Sequence, residues 1–300
     1  MPGPLSPVGL IVRTLLLGGM LSVCGAIAFR YFVLSRIERH GDQPRLLALR
    51  MADRAAKFGM AGAAIIIMTA VARLALQLRE LSDPVGGAQP DVSFLLTGTT
   101  WGRAWLVQLV GAALVFAAFA LRRWPVAALF TVILAFTPAF SGHAIGSMQL
   151  VPVAVAADGL HTIAAGGWIG AMLILGATLL MPRQAGQIEM FPVIIAAFSP
   201  LALGAAATVV LTGAIGGWLH LGSLQALVGS RYGRTLLIKV GMVLAVAALG
   251  AFNWKRAGPQ ATIEGDERPM QRSIRAELIV ALLVLLATAA LIVTPPPGEE

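Results

Sequence analysis

Residues 101–142 read WGRAWLVQLVGAALVFAAFALRRWPVAALFTVILAFTPAFSG. Two apolar runs, 101–121 and 125–142, are interrupted only by Arg122 and Arg123 before Pro125. A membrane-spanning helix needs about 20 mainly apolar residues. Two such runs joined by so short a link must fold back on each other as a helical hairpin.

The pattern repeats outward in both directions. Six further segments qualify as spans, at 8–34, 56–78, 153–181, 192–220, 235–254 and 276–294. Local punctuation separates them: Pro84, Gly86, Gly87 and Pro90, then Pro182 and Pro192, then Gly258 and Pro259, with Pro295 to Pro297 stopping the last helix. The expected fold is all-α, a polytopic membrane helix bundle of about eight transmembrane helices. It divides into an N-terminal four-helix region over 1–145 and a C-terminal four-helix region over 146–300, with no evident internal repeat. Composition agrees, because 12% of residues are charged and 58% hydrophobic, with mean hydropathy +0.83. A soluble domain carries about 25% charged residues. The opening MPGPLSPVGL lacks a basic n-region and leads into an apolar run too long for a secretory signal, so it reads as a retained first span. A lone cysteine, Cys24, excludes a disulfide framework and CxxC metal motifs.

The formal charge of +8 and pI near 10.9 would suggest nucleic acid in a soluble chain. Sorted by loop, the charge has another meaning. Fourteen of the 22 Lys and Arg fall in alternate loops, led by Arg36, Arg39, Arg45, Arg50, Arg54 and Lys57, while the opposite side holds only Arg79, Arg103, Arg231 and Arg234. The positive-inside rule then puts both termini on the periplasmic side. With the acids included, the cytoplasmic side sums to +6, the outer side to −2 and the spans to +4. The charge is a topology signal and excludes nucleic acid as the expected partner.

The same orientation gathers three of the four histidines. His143 in SGHAIGSM, His161 in DGLHTIAAGGWIG and His220 in GGWLHLG are expected at the outer ends of spans four, five and six, whereas His40 lies among loop charges. Each of the three either caps a helix at the interface or ligates a metal, neutral imidazole being the commonest metal-binding side chain. Asp158, His161, Ala165, Trp168 and Met172 are spaced 3, 4, 3 and 4, which sets them along one helical face. Asp158 there binds a cation or orients the imidazole. Met148, in the loop between His143 and Asp158, offers a soft thioether suited to Cu(I). Met172, Cys24, and the arginines Arg13, Arg30 and Arg73 read first as packing or snorkelling residues. Gly166 and Gly170, and Gly213 and Gly217, have the small-xxx-small spacing of close helix contacts. They are expected to draw spans five and six together. Thr208, Thr212, Gly216 and His220 form a mildly polar stripe. Lys239 snorkels, pairs with Asp158 or meets an anionic group, and Asn253 marks the inner end of span seven.

Taken together, these stretches resemble the CopD-type bacterial copper-resistance and copper-transport membrane proteins. The resemblance is strongest over 192–294, through TGAIGGWLH and YGRTLLIKVGMVLAVAALGAFN, with Tyr232, Gly233, Arg234, Lys239 and Asn253. SGHA and DGLHTIAAGGWIG also match, while the first four spans match only in hydropathy and number. What the resemblance implies is an inner-membrane protein that handles copper. It also implies a periplasmic CopC-type copper-binding partner, here necessarily a separate chain. On this reading, copper ion is bound by His143, His161, His220, Asp158 and Met148, and no reaction is catalysed. No nucleophile–histidine–carboxylate arrangement, zinc-protease motif or phosphate-binding P-loop appears. Two alternatives stay open: a b-type haem cytochrome with one bis-histidine haem near the outer surface, or a membrane assembly scaffold.

Overall fold

The computed structural model describes residues 7–40, 42–82, 90–141, 150–179, 191–221, 223–252, 255 and 268–294. Among them every regular element is helical. Seven helices are long and apolar enough to cross a membrane: Pro7–Ile37, Ala48–Leu81, Thr100–Ala120, Val151–Thr178, Val193–Leu219, Arg231–Phe252 and Gln271–Ile292. With the shorter apolar helix Trp124–Ser141 fourth in order, they are numbered first to eighth below. The protein is an all-α polytopic helix bundle.

The hairpin between the third and fourth helices closes as its sequence requires. The Arg122 N–H donates to the Phe119 carbonyl at 3.1 Å and the Arg123 N–H to the Ala118 carbonyl at 2.8 Å, the paired bonds of a Schellman cap. That cap needs a left-handed residue, and Arg122 supplies it at φ 55 although glycine usually holds this position. The Arg122 guanidinium pairs with Asp53 of the second helix, which also holds Lys57 at 2.8 Å. Phe119 and Trp124 meet edge to face across the turn, with centroids 5.5 Å apart.

Two helices extend beyond their apolar runs. The second helix begins at Asp42 and runs 40 residues to Leu81, so most of the expected loop 35–57 is helical. Hydropathy marks where the membrane ends, not where the helix ends: charged residues at helical spacing, such as Asp53 and Lys57, continue a helix into water. The first helix likewise continues through a π-helical turn, Phe29–Leu34, to Ile37, and Arg30 donates to Glu38 at 2.9 Å instead of simply snorkelling. The eighth helix starts at Arg268. This places Glu277, 5% exposed, inside the bundle.

The first helix is central and contacts the second, fourth, fifth and eighth. Its meeting with the fifth helix corrects the expected partner of the fifth helix's glycines. A Cβ on Gly170 would lie 1.9 Å from the Leu21 carbonyl oxygen, one on Gly25 2.3 Å from the Gly170 carbonyl carbon, and one on Gly166 2.5 Å from the Cys24 Cβ. Gly166 and Gly170 therefore pack the fifth helix onto the first, not onto the sixth. The five residues Gly166–Gly170 form a π-helical turn in mid-span, an interruption of the regular i→i−4 ladder. Cys24 is buried at this crossing as a small packing residue.

Candidate functional site

The fifth and sixth helices do pack closely, one turn and a half above that crossing. His161 lies ten residues into the fifth helix, about 15 Å from its start at 1.5 Å per residue. Its ring rests on the sixth helix, where a Cβ on Gly213 would lie 3.5 Å from the imidazole Cε1. The neighbouring Thr212 Oγ1 is 2.9 Å from His161 Nδ1. A threonine hydroxyl has one proton, and that of Thr212 goes to the Thr208 carbonyl at 2.6 Å in the helix's own i−4 bond. His161 Nδ1–H is then the donor and Thr212 the acceptor. This assignment leaves Nε2 with its lone pair, the form in which imidazole ligates metals.

The face of the fifth helix grades inward. Asp158 is exposed, His161 half-buried, and Trp168 and Met172 are buried. Below His161 the lining becomes apolar, with Met172 among Ala205, Val209, Val246 and Val284. Lys239, half-buried on the seventh helix, interacts electrostatically with both Asp158 and His161, and Asp158 with Tyr232. The seventh helix gains this position through a short elbow, Leu224–Gly229. Ser223 caps the elbow, and Ser230 caps the seventh helix by accepting from the Gly233 N–H at 2.9 Å. A Cβ on Gly233 would lie 2.3 Å from the Leu227 carbonyl oxygen, so the YGR turn fits only with glycine there.

The other expected ligands stand differently. His143 and Met148 fall outside the described residues, as does Asn253, and of His220 only the helix position is described. That position is eight residues beyond Thr212, about 12 Å along the sixth helix at 1.5 Å per residue. His220 thus belongs to the face of the bundle, whereas His161 belongs to its interior. Among the described residues no three His, Cys, Asp or Glu side chains converge on one metal position. Among the described side chains no second histidine faces His161 across the interface, where Thr212 and Gly213 stand. Thr212, whose hydroxyl orients the ring, was visible in sequence only as one step of the Thr208–Thr212–Gly216–His220 stripe.

Comparison with known proteins gives two family matches. Residues 192–291 match copper resistance protein D, and residues 5–150 match the copper resistance protein D-like N-terminal domain. Copper transport protein CutJ of Bacillus subtilis (strain 168) is 27% identical over 178 residues, which are 59% of this chain and 31% of CutJ. Copper resistance protein D of Pseudomonas syringae pv. tomato is 32% identical over 220 residues, 66% of this chain and 69% of the relative. The chain therefore spans about a third of CutJ's length and just over two thirds of the second relative's. No solved structure matches.

Proposed function

The chain belongs to the copper resistance protein D family, and from that premise we propose that it binds copper at one end of the bundle and passes it inward through His161. The bond between Nδ1 of His161 and Thr212 carries this reading. It fixes an imidazole inside the membrane with Nε2 left for a metal ion, and ionisable groups at that depth mark substrate and ion paths.

The ligands form two levels. At the face where the first helix begins, His143, Met148 and His220 receive copper. A separate periplasmic CopC-type protein delivers it, since positive-inside orientation makes this the outer face of the inner membrane. Asp158 lies one turn above His161 and lowers the cost of bringing a cation to it. Below His161, the thioether of Met172 is the next soft donor, reached past Trp168 and the π-helical turn Gly166–Gly170. The chain moves copper and catalyses no reaction. X-ray absorption at the copper edge tests this directly: imidazole scattering in the copper-loaded protein diminishes in His161→Ala. A spectrum unchanged by that substitution, or a strong Soret band from bound haem, refutes it.

A further inference from the structure

A second polar cluster lies in the N-terminal half of the chain, away from the histidines. Arg73 is eight residues from the end of the second helix at Leu81, Gln108 eight residues into the third, and Arg13 six residues into the first. At 1.5 Å per residue each sits about 9–12 Å from the helix ends that share one face of the bundle. Gln108 is 1% exposed. Its Oε1 accepts from Arg73 Nη1 at 3.0 Å, and its Nε2 donates to Thr137 Oγ1 of the fourth helix at 3.5 Å. The Arg73 guanidinium stands over the Trp101 ring, 5.9 Å from its centroid. Trp105 is held nearby by its indole N–H, which donates to the Ala70 carbonyl at 2.8 Å.

Arg13 reaches the same level from the first helix. A Cβ on Gly19 would lie 2.8 Å from the Gly62 carbonyl oxygen and 2.8 Å from Ile66 Cγ1. Carried six residues along two antiparallel helices, that register sets Arg13 beside residues 68–72, next to Arg73. The Arg13 charge accordingly acts on Arg73.

The charges at this level do not balance. Among the described residues neither guanidinium has a carboxylate within 4.0 Å. Glu80, whose charge reaches Arg13, stands seven residues beyond Arg73, toward the end of the second helix. Arg73 has five N–H donors and uses one on Gln108, and Arg13 has no acceptor among the described residues. Two guanidinium groups at one level within the membrane, with one amide oxygen in hydrogen-bond contact and the Glu80 carboxylate more than 4.0 Å away, form an incomplete set. What completes it is an anion with several acceptor oxygens, matched to the guanidinium fork. Trp101 beside the pair is the residue type that marks the headgroup level.

We propose that Arg13, Arg73 and Gln108 form a binding site for a phosphate-type oxyanion, separate from the copper path. The oxyanion comes from an anionic phospholipid headgroup or from free phosphate. The full chain in lipid nanodiscs tests this, with native mass spectrometry for retained lipid and thermal unfolding for stabilisation. Arg13→Gln is the informative variant because Arg13 has no hydrogen bond within the described protein to lose. Arg103→Gln, an exposed arginine at the same end of the third helix, is the control.

If the source is lipid, the wild type retains phosphatidylglycerol from mixed phosphatidylcholine–phosphatidylglycerol discs, and Arg13→Gln retains at least fivefold less while Arg103→Gln is unchanged. If the source is free phosphate, inorganic phosphate raises the unfolding midpoint in pure phosphatidylcholine discs for the wild type and not for Arg13→Gln. Indifference of both readouts to Arg13→Gln, or equal losses in both variants, overturns the proposal. Copper binding is measured separately and stands or falls without it.

Discussion

Replacing Thr212 with valine removes one oxygen and adds one methyl, so the packing of the sixth helix against the fifth is nearly preserved. What is lost is the acceptor 2.9 Å from His161 Nδ1. The Val209 carbonyl, also within hydrogen-bonding reach of the His161 ring, remains, and the apolar lining below offers nothing more. Weakening the hydrogen bonding of a buried donor costs up to about 1–3 kcal/mol, and the ring becomes freer to turn or to change tautomer. Groups that orient a ligating histidine change metal affinity by roughly 10–100-fold. The expected result for Thr212→Val is Cu(I) affinity about 10–100-fold weaker, read by competition with a colorimetric Cu(I) chelator in detergent. Thr212→Ser keeps the acceptor and recovers most of the affinity. Thr208→Val is the control: its hydroxyl, one turn before Thr212 on the same helix, bonds the Gly204 carbonyl at 2.9 Å and not the imidazole, and its removal leaves copper affinity unchanged. Affinity within twofold of wild type in Thr212→Val, or an equal loss in Thr208→Val, refutes the reasoning.

Three further outcomes follow from the fold. Gly170→Leu drives side-chain atoms into the Leu21 carbonyl, where even a Cβ lies at 1.9 Å; overpacking of about 1–3 kcal/mol or more lowers the unfolding midpoint in detergent, while Gly204→Leu, with nothing within 4 Å, leaves it in place. Arg122→Gly relieves a left-handed residue worth about 1–2 kcal/mol and gives up an exposed ion pair worth about 0.2–1 kcal/mol, so in an Asp53→Asn background it raises the unfolding midpoint. Single cysteines placed in a Cys24→Ala chain report orientation: a membrane-impermeant maleimide added to intact cells labels position 79 and spares position 123.

The number and nature of the helices were legible because lipid allows only closed hydrogen-bonding structures and needs long apolar runs. The 101–142 hairpin was read from Arg122, Arg123 and Pro125 alone. Helix ends were less legible, since residues 42–58 and 268–275 are helical but polar, and hydropathy registers only the part inside the membrane. The glycines of the fifth helix announced a close contact without naming the partner; Leu21, Cys24 and Gly25 of the first helix present no motif of their own. In the site, His161 and Asp158 stood out as polar residues in an apolar run. Thr212 did not, because threonine in a span usually bonds its own helix, and only the packing shows that its oxygen also meets the imidazole. The Arg73–Gln108–Thr137 chain was invisible for the same reason, being assembled from three helices with one polar residue each. The N-terminal region resembled the family only in hydropathy, yet residues 5–150 match its N-terminal domain.

The account rests on copper bound through His161, and equilibrium metal analysis tests it most directly. Protein purified without chelator, loaded with Cu(I), freed of excess metal and quantified by mass spectrometry should retain copper in stoichiometric amount. His161→Ala should lose that copper or hold it at least tenfold more weakly, with its unfolding midpoint near that of the wild type. Failure of the wild type to retain stoichiometric copper, or the same retention and affinity in His161→Ala, contradicts the account.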